Sequence, residues 1–167
     1  MSETIAQYFV ETLDGKLPSE IIAFIISMLP ILELRGGLIA SKIMGIDFVK
    51  AFTICYIGNM LPIPFILLFI RKIFNQLKKY PKINGLIEKI EVRSIRKADS
   101  VKKYRIWGLL IFVGIPLPGT GAWTGALIAD LLDIRIKHSL PAIAAGVLMA
   151  GIIISALSYG LFGALGF

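Results

Sequence analysis

Two long apolar runs of the sequence are each interrupted near the middle by proline, glycine and polar residues. The first run covers residues 20–45, and its interruption carries Glu33 and Arg35. The second covers residues 106–132, and Thr120 lies among the prolines and glycines that interrupt it. A charge at the bilayer centre costs at least about 2.5–3.5 kcal/mol, and irregular backbone is tolerated there only within protein or beside water. Broken apolar segments at matching places in two halves of a chain therefore indicate a transport site.

The composition supports the membrane class. The chain has 167 residues, 56% of them hydrophobic, and a mean hydropathy of +0.80, which is too apolar for a soluble domain of this size. At about 20 residues per crossing, the apolar length allows roughly three to five membrane segments. We therefore expect an all-α integral membrane protein in which residues 1–167 form a single membrane domain.

The positive charge of the chain is concentrated in residues 71–105, which we call the basic connector. This block contains twelve Lys and Arg and three acidic residues, whereas the whole chain has a net charge of +7. A basic block can bind nucleic acid, but this one lies between apolar runs, which favours a cytoplasmic loop against an anionic leaflet. We expect membrane lipids as partners, no nucleic acid, and both chain termini on the side opposite the connector.

Residue types that support catalysis or metal binding are sparse. Cys55 is the only cysteine and His138 the only histidine, so the sequence predicts no disulfide within the chain, no metal cluster and no cofactor. There is no nucleophile with an adjacent base and no phosphate-binding loop, so we do not expect an enzyme. The first fifteen residues are acidic rather than basic, so no secretory signal is expected.

Hydrophobic periodicity predicts the remaining elements. Residues 1–17 have apolar side chains at helical spacing and predict an amphipathic helix on the membrane surface. Residues 47–70 predict a crossing helix kinked by two prolines, in which Asn59 either faces a polar site or bonds a neighbouring helix. Within the basic connector, residues 82–104 predict a basic amphipathic helix.

Each broken run allows two structures, a single kinked crossing or a re-entrant hairpin that returns to its own side. The charges and glycines at the midpoint of residues 20–45 favour the hairpin, and residues 106–132 repeat the pattern. Residues 138–167 predict the last crossing, whose small residues at four-residue spacing favour close packing inside the bundle or in a homodimer. These small residues are Gly146 with Ala150 and Gly151 with Ser155.

The two halves of the chain resemble each other in the order of their motifs. Residues 30–40 correspond to residues 116–129, and each segment is followed by an aspartate, a lysine and a long apolar run. The unit of broken segment, polar turn and crossing is therefore used twice, in residues 18–70 and 106–167. If each hairpin returns to its own side, a single crossing separates the two copies, and the repeat is inverted.

Two motifs make the chain similar to a known family. Leu-Pro-Ile-Leu-Glu-Leu-Arg-Gly-Gly at residues 29–37 and Pro-Leu-Pro-Gly-Thr-Gly-Ala-Trp at residues 116–123 resemble segments of the small multidrug export proteins. More distantly, residues 18–165 resemble the DedA superfamily, the SNARE-associated or VTT-domain group of membrane proteins. That resemblance implies two re-entrant hairpins from opposite faces. It also implies movement of lipids, including polyprenyl phosphates, between leaflets, with proton coupling.

The residue types at the breaks predict a binding site for a charged amphiphile. The planar guanidinium of Arg35 suits a phosphate or a carboxylate. A partly desolvated Glu33 suits a proton carrier, with Asp130 as a second one. Backbone N–H groups at helix starts attract anions, and an aromatic ring offers a stacking surface or an interfacial anchor. The further candidates for substrate contact are Asn59, Gly119, Thr120, Gly121 and Trp123.

Three functions are compatible with these residues. In the first, the chain moves an anionic amphiphile such as a lipid or polyprenyl phosphate, held by Arg35 and coupled to protons through Glu33. In the second, it exports hydrophobic cations held by Glu33, with Trp123 as a cation–π surface. In the third, it does not transport, and a Glu33–Arg35 or Arg35–Asp130 pair serves packing alone.

Overall fold

The computed structural model describes residues 2–13, 17–96, 98–117 and 119–156. Within these ranges the chain is all-helical, as predicted, and forms nine α-helices without a strand. Their bounds are α1 (Ser2–Leu13), α2 (Ser19–Met28), α3 (Glu33–Ile43), α4 (Phe48–Met60), α5 (Ile63–Leu77), α6 (Pro81–Arg96), α7 (Asp99–Gly114), α8 (Ala122–Leu131) and α9 (Ile136–Ser155).

Two helical stretches in the described part of the chain are long and apolar enough to cross a membrane, by length and composition. They are α4 with α5 (Phe48–Leu77, 30 residues) and α9 (Ile136–Ser155, 20 residues). Helices α2 and α8 are also apolar, but with 10 residues each they extend only about 15 Å, roughly half the hydrocarbon thickness. The predicted breaks therefore separate helices that are individually too short to cross.

The first crossing is longer than predicted. Its helix is interrupted at Leu61 and Pro62, where a proline kink is expected, and then continues to Leu77 rather than ending near Ile70. The extra turns consist mostly of residues with good helix propensity, which sustain a helix beyond the end of its apolar stretch. The polar end of α5 therefore belongs to the same helix as the apolar crossing.

The basic connector is divided where a single amphipathic helix was predicted. Residues 82–104 fall on α6 and the start of α7, and Arg105 departs from helical geometry within α7, with φ 46° and ψ −108°. Helix α6 packs against α5 and α8, and Ile87 is buried. Lys78 Nζ lies 2.7 Å from Glu91 Oε2 and holds α6 beside the end of α5.

The helices form two compact units. Unit 1 is Met1–Pro62 with Val147–Phe167, and unit 2 is Ile63–Gly146. In unit 1, α2, α3 and α4 pack against one another, and α1 packs on α2 and α3. In unit 2, α8 packs against α5, α6 and α7.

The predicted N-terminal helix is present as α1, but its apolar face is covered by protein. A buried cluster joins it to α2 and α3. The cluster consists of Ala6, Val10, Ile22, Ile26, Leu32 and Ala40. Tyr8, which the spacing assigns to the apolar face, is exposed. An amphipathic face requires burial, and here two neighbouring helices supply it.

Glycines let the helices of unit 1 approach closely. A Cβ atom on Gly37 would lie 1.9 Å from Ser27 Oγ and 2.8 Å from Cys55 Sγ. A Cβ atom on Gly58 would lie 2.8 Å from the carbonyl oxygen of Phe24. Neither place has room for a side chain, so α3 and α4 contact α2 through glycine.

Glycines have the same role in unit 2. A Cβ atom on Gly125 would lie 2.4 Å from Val113 Cγ2. One on Gly146 would lie 2.8 Å from the carbonyl oxygen of Leu110 and 2.8 Å from Val113 Cβ. Helices α8 and α9 therefore contact α7 through glycine.

The small residues of α9 pack within the chain. Gly146 is in contact with α7, as described above, and a Cβ atom on Gly151 would lie 2.8 Å from Leu34 Cδ2 and 2.7 Å from Phe52. Of the two predicted uses for this spacing, packing inside the bundle accounts for both glycines. A homodimer stays a prediction.

Candidate functional site

The first break begins where the sequence places a proline. Leu29 is extended, with φ −75° and ψ 134°, because Pro30 disfavours helical geometry in the residue before it. The chain then turns, and the N–H of Glu33 donates to the carbonyl oxygen of Leu29 at 2.8 Å. Helix α3 starts at Glu33, so both predicted charges lie in the first turn of α3.

Glu33 combines burial with an unusual backbone. Its exposed fraction is only 5%, and its φ of 50° lies in the left-handed region that residues with a side chain rarely adopt. Arg35, two residues later, is half-buried. Such geometry costs about 1–3 kcal/mol and tends to occur at functional sites.

Asn59 lies in the last turn of α4 and is 1% exposed. Its Oδ1 atom accepts no hydrogen bond among the residues that the structure describes. A buried amide oxygen without a donor is costly. The prediction that Asn59 simply bonds a neighbouring helix therefore does not account for this oxygen.

The second break is held together by the Thr120 side chain. Its Oγ1 lies 2.7 Å from the carbonyl oxygen of Ile115 and 2.8 Å from that of Leu117, and it accepts from the N–H of Leu117 at 3.1 Å. Gly119 has a φ of 78°, which favours glycine. Pro118, part of the predicted motif, lies outside the described residues. The hydroxyl of Thr120 thus shapes the turn.

The other candidates in this segment lie on or beside α8. Gly121 is buried at the residue before the helix, and its carbonyl oxygen accepts from the N–H of Gly125 at 2.8 Å. Trp123 is half-buried in the first turn of the helix. Both residues are therefore at the start of α8, where the sequence places the anion-attracting end of the helix dipole.

Asp130, in the last turn of α8, is paired with Arg71 at the end of the first crossing. Arg71 Nε lies 3.4 Å from Asp130 Oδ2, and Arg71 Nη2 donates to the carbonyl oxygen of Asp130. Arg71 Nη1 lies 2.8 Å from Asp133 Oδ1. Burial raises the pKa of Asp130, which lies outside the two candidate spans, and the Arg71 charge opposes that shift.

A cavity of about 370 Å³ lies beside this cluster in unit 2. Arg71, Lys72, Asp130, Asp133 and Arg135 contribute charged groups to its wall. Leucine and isoleucine side chains of α5 and α9 form much of the remainder. A cavity whose wall is partly charged and partly apolar suits an amphiphilic ligand.

The predicted site residues fall into both units. Glu33, Arg35 and Asn59 belong to unit 1, while Gly119, Thr120, Gly121, Trp123 and Asp130 belong to unit 2. In the part of the chain that the structure describes, no group of three or more His, Cys, Asp or Glu side chains could hold a metal ion.

Arg71 and Asp133 were not predicted as partners from the sequence. The available signal was the three-residue spacing of Asp130 and Asp133, which places two carboxylates at one end of a helix. A basic residue that ends a neighbouring apolar run is then the natural partner.

Comparison with known proteins identifies a family for the segment that contains most of these residues. No curated protein and no solved structure matches the chain. A family model described as "Putative small multi-drug export protein" matches residues 33–153. This match begins within the first break, includes the whole second break and most of the two candidate spans, and covers well over half of the chain. The chain therefore belongs to the small multi-drug export family.

Proposed function

We propose that the protein is a membrane exporter rather than an enzyme, and that Glu33 binds the transported molecule. The single observation that carries this proposal is the burial of the Glu33 carboxylate at a left-handed backbone position inside an apolar run. Burial of the charge and the backbone geometry both cost free energy, and a site that must bind a charge is a reason to retain them. The family description, which names drug export, points to the same activity.

We further propose that both broken runs are re-entrant hairpins. Lys50 Nζ lies 2.6 Å from Glu20 Oε1, so the beginning of α2 and the beginning of α4 are adjacent. Arg71 Nη1 lies 2.8 Å from Asp133 Oδ1, so the end of the first crossing and the end of α8 are adjacent. A full crossing would separate each pair by about 30 Å. These two ion pairs favour hairpins over kinked crossings.

The proposal of a repeat rests on corresponding glycine contacts. Gly37 and Gly58 approach α2, and Gly125 and Gly146 approach α7, in the same order along the chain. Ser27 contacts both glycines of the first set, and Val113 contacts both glycines of the second. With a hairpin in each copy and one crossing between them, the copies would be inverted in the membrane.

The topology that follows is also a proposal. The positive charge of residues 71–105 supports a cytoplasmic basic connector that contacts anionic lipids, with both termini on the opposite side. Residues 1–167 would form one membrane domain, and the exposed apolar side chains of its helices would face lipid or a second copy in a homodimer.

The site residues have different proposed roles. Glu33 exchanges a proton for the cationic group of a hydrophobic molecule, and the Oδ1 atom of Asn59 supplies a further acceptor in the same unit. Trp123 provides an apolar or cation–π surface. Thr120, with the glycines on either side of it, shapes the second break, and Asp130 is a second titratable group.

Export of a lipophilic cationic dye from proteoliposomes tests the role of Glu33. We expect Glu33→Gln to lower the export rate at least about tenfold, which corresponds to 1.4 kcal/mol of lost interaction, and Glu33→Asp to retain part of the rate. Glu20→Gln is the matched control, since it removes an exposed acid in the same unit. Equal export by wild type and Glu33→Gln would refute the assignment.

A second candidate function is movement of an anionic amphiphile such as a lipid or polyprenyl phosphate. The half-buried guanidinium of Arg35 in the first turn of α3 favours it, because a guanidinium pairs with phosphate in a bidentate way. In this case a fluorescent phospholipid would move between leaflets, Arg35→Gln would stop it, and the cationic dye would not be exported. Failure of both substrates would leave a structural, non-transport protein.

A further inference from the structure

Arg71 ties the end of α8 to α5 through three contacts. Its guanidinium reaches the carboxylate and the carbonyl oxygen of Asp130 and the carboxylate of Asp133. The Arg71 and Asp133 side chains are 51% and 77% exposed, whereas Asp130 is only 14% exposed. One cation therefore connects an inner and an outer carboxylate.

Asp133 occupies a backbone position that ordinarily favours glycine. Its φ is 53°, and the N–H of the next residue, Ile134, donates to the carbonyl oxygen of Ala129 at 2.8 Å. Helix α3 ends with the same hydrogen-bond pattern, but there the residue is Gly45, with a φ of 69°. This helix-ending motif requires a left-handed residue, for which glycine has no steric cost.

The comparison of these two helix ends shows what the aspartate adds. The backbone alone would favour glycine at residue 133, as at residue 45. The carboxylate of Asp133, and its contact with Arg71, is the feature that Gly45 lacks. A residue kept in an unfavourable conformation for the sake of its side chain indicates a use beyond ending the helix.

The position of the cluster suggests that use. Arg71, Asp130 and Asp133 all line the cavity of unit 2, so their contacts hold α8 to α5 along one side of it. Partly exposed ion pairs contribute little net free energy, so such a contact can open without unfolding either helix. Lys72 and Arg135 line the same cavity and form no ion pair within the described part of the chain.

We propose that Arg71, Asp130 and Asp133 form a charge latch that narrows the cavity in unit 2 and is released during each transport cycle. When the latch is closed, α8 is held against α5. When Arg71 releases the two carboxylates, the end of α8 moves away and the cavity becomes wider and more accessible to water and substrate. The cycling of the latch rests on the proposed export function, whereas its closure can be tested without transport.

Thiol labelling tests closure. The only cysteine is removed as Cys55→Ser, and Ile134→Cys places a thiol in the cavity wall. We expect Arg71→Gln to increase the rate of labelling by a water-soluble maleimide at least about fivefold, a typical size for coupling between sites. Lys72→Gln, which removes a neighbouring charge from the same cavity, should leave the rate unchanged. An unchanged rate in Arg71→Gln, or an equal increase in Lys72→Gln, would overturn the latch.

Reversible cross-linking tests opening during transport. In the Cys55→Ser background, Arg71→Cys with Asp133→Cys is linked by a short reagent that contains a disulfide. We expect dye export to stop when the two thiols are linked and to recover after reduction. The control link joins Asp99→Cys to Lys102→Cys within α7, where export should continue. Continued export through the linked latch would show that it is static. An inactive wild type would count against the export function instead, and the labelling result would still decide closure.

Discussion

The two broken segments share their packing and differ in where their charges lie. In each segment, glycines of the two later helices contact the first helix, at Gly37 and Gly58 in one unit and at Gly125 and Gly146 in the other. The acid in left-handed geometry is Glu33 in unit 1, at the start of α3 and buried. In unit 2 it is Asp133, beyond the end of α8 and exposed. Similar glycine packing therefore accompanies a buried acid in unit 1 and an exposed acid in unit 2.

This difference separates two physical roles. A buried carboxylate is costly unless it is paired, hydrogen-bonded or protonated, so an exchange of its partner can be coupled to ligand binding. An exposed ion pair is cheap to break, which suits conformational control. Neither acid is among the nearest neighbours of these glycines, so the two units can share this packing while their acids have different roles.

The largest expected effects concern that shared scaffold. Gly58→Leu and Gly146→Leu should lower stability to a similar extent, each by about 1–3 kcal/mol or more, because each new side chain meets a backbone carbonyl oxygen at 2.8 Å. Thermal unfolding of the purified protein in detergent measures this. Gly85→Ala is the control, since no described atom lies within 4 Å of its added Cβ, and should be neutral or stabilising. A large loss of stability in only one of these two variants would show that the glycine contacts of the two units are not equivalent.

Glu33 and Asp133 are the two acids with a positive φ, and their replacement by glycine should have different effects. Glu33→Gly should raise stability by about 1 kcal/mol, because glycine adopts the positive φ without strain, while export is lost. Asp133→Gly should change stability less, because the loss of the Arg71 contact offsets the relief. Thermal unfolding and dye export are measured on the same preparations. Destabilisation by Glu33→Gly would show that the carboxylate is structural.

A smaller effect is expected from Asp130, whose pKa is raised because burial outweighs the attraction of Arg71. Since the protonated form is favoured in the folded state, Asp130 lowers stability as the pH rises from its unfolded-state pKa through its folded-state pKa. Asp130→Asn should therefore raise the melting temperature slightly at neutral pH, and the gain should disappear in acid. A gain that grows as the pH falls would contradict the sign of the shift.

The smallest effect is expected from Glu20 in unit 1, whose pKa is lowered by the hydrogen bond from Lys50. The stabilisation is present above the ordinary pKa of the carboxyl and is lost as the pH falls through its folded-state value. Glu20→Gln should lower the melting temperature barely measurably at neutral pH, with no effect in acid. Melting curves of Glu20→Gln and Asp130→Asn over the same pH range should thus change in opposite directions.

Much of the helix pattern follows from the sequence. Pro30 and Pro116 force the preceding residue out of helical geometry, and this local rule correctly predicts both breaks. The predicted kink near Asn59 coincides with the interruption at Leu61 and Pro62, although Leu61 itself keeps helical geometry, with φ −57° and ψ −46°. The continuation of α5 to Leu77 was missed, because apolar character indicates where a membrane segment ends but not where the helix ends.

The contacts of the individual polar groups depended on tertiary structure. Arg71 and Asp130 are 59 positions apart, and no local pattern distinguishes this pairing from the predicted Arg35–Asp130 alternative. The packing of α1 against α2 and α3 could not be predicted either. An amphipathic face shows that a helix must bury one side, but not which surface it packs against. The strain at Glu33 also arises from how the turn joins two packed helices.

The sequence by itself determined the membrane class, the family, the two breaks and the residues that carry charge into them. These follow from composition and from the short-range chemistry of proline, glycine and ionisable side chains. Only the tertiary structure decided that Glu33 is buried in left-handed geometry, that Thr120 shapes its turn, and that Arg71 ties α8 to α5. Burial and ion pairing depend on which distant segments become neighbours. The packing of the whole chain determines those neighbours, so a local sequence pattern does not contain them.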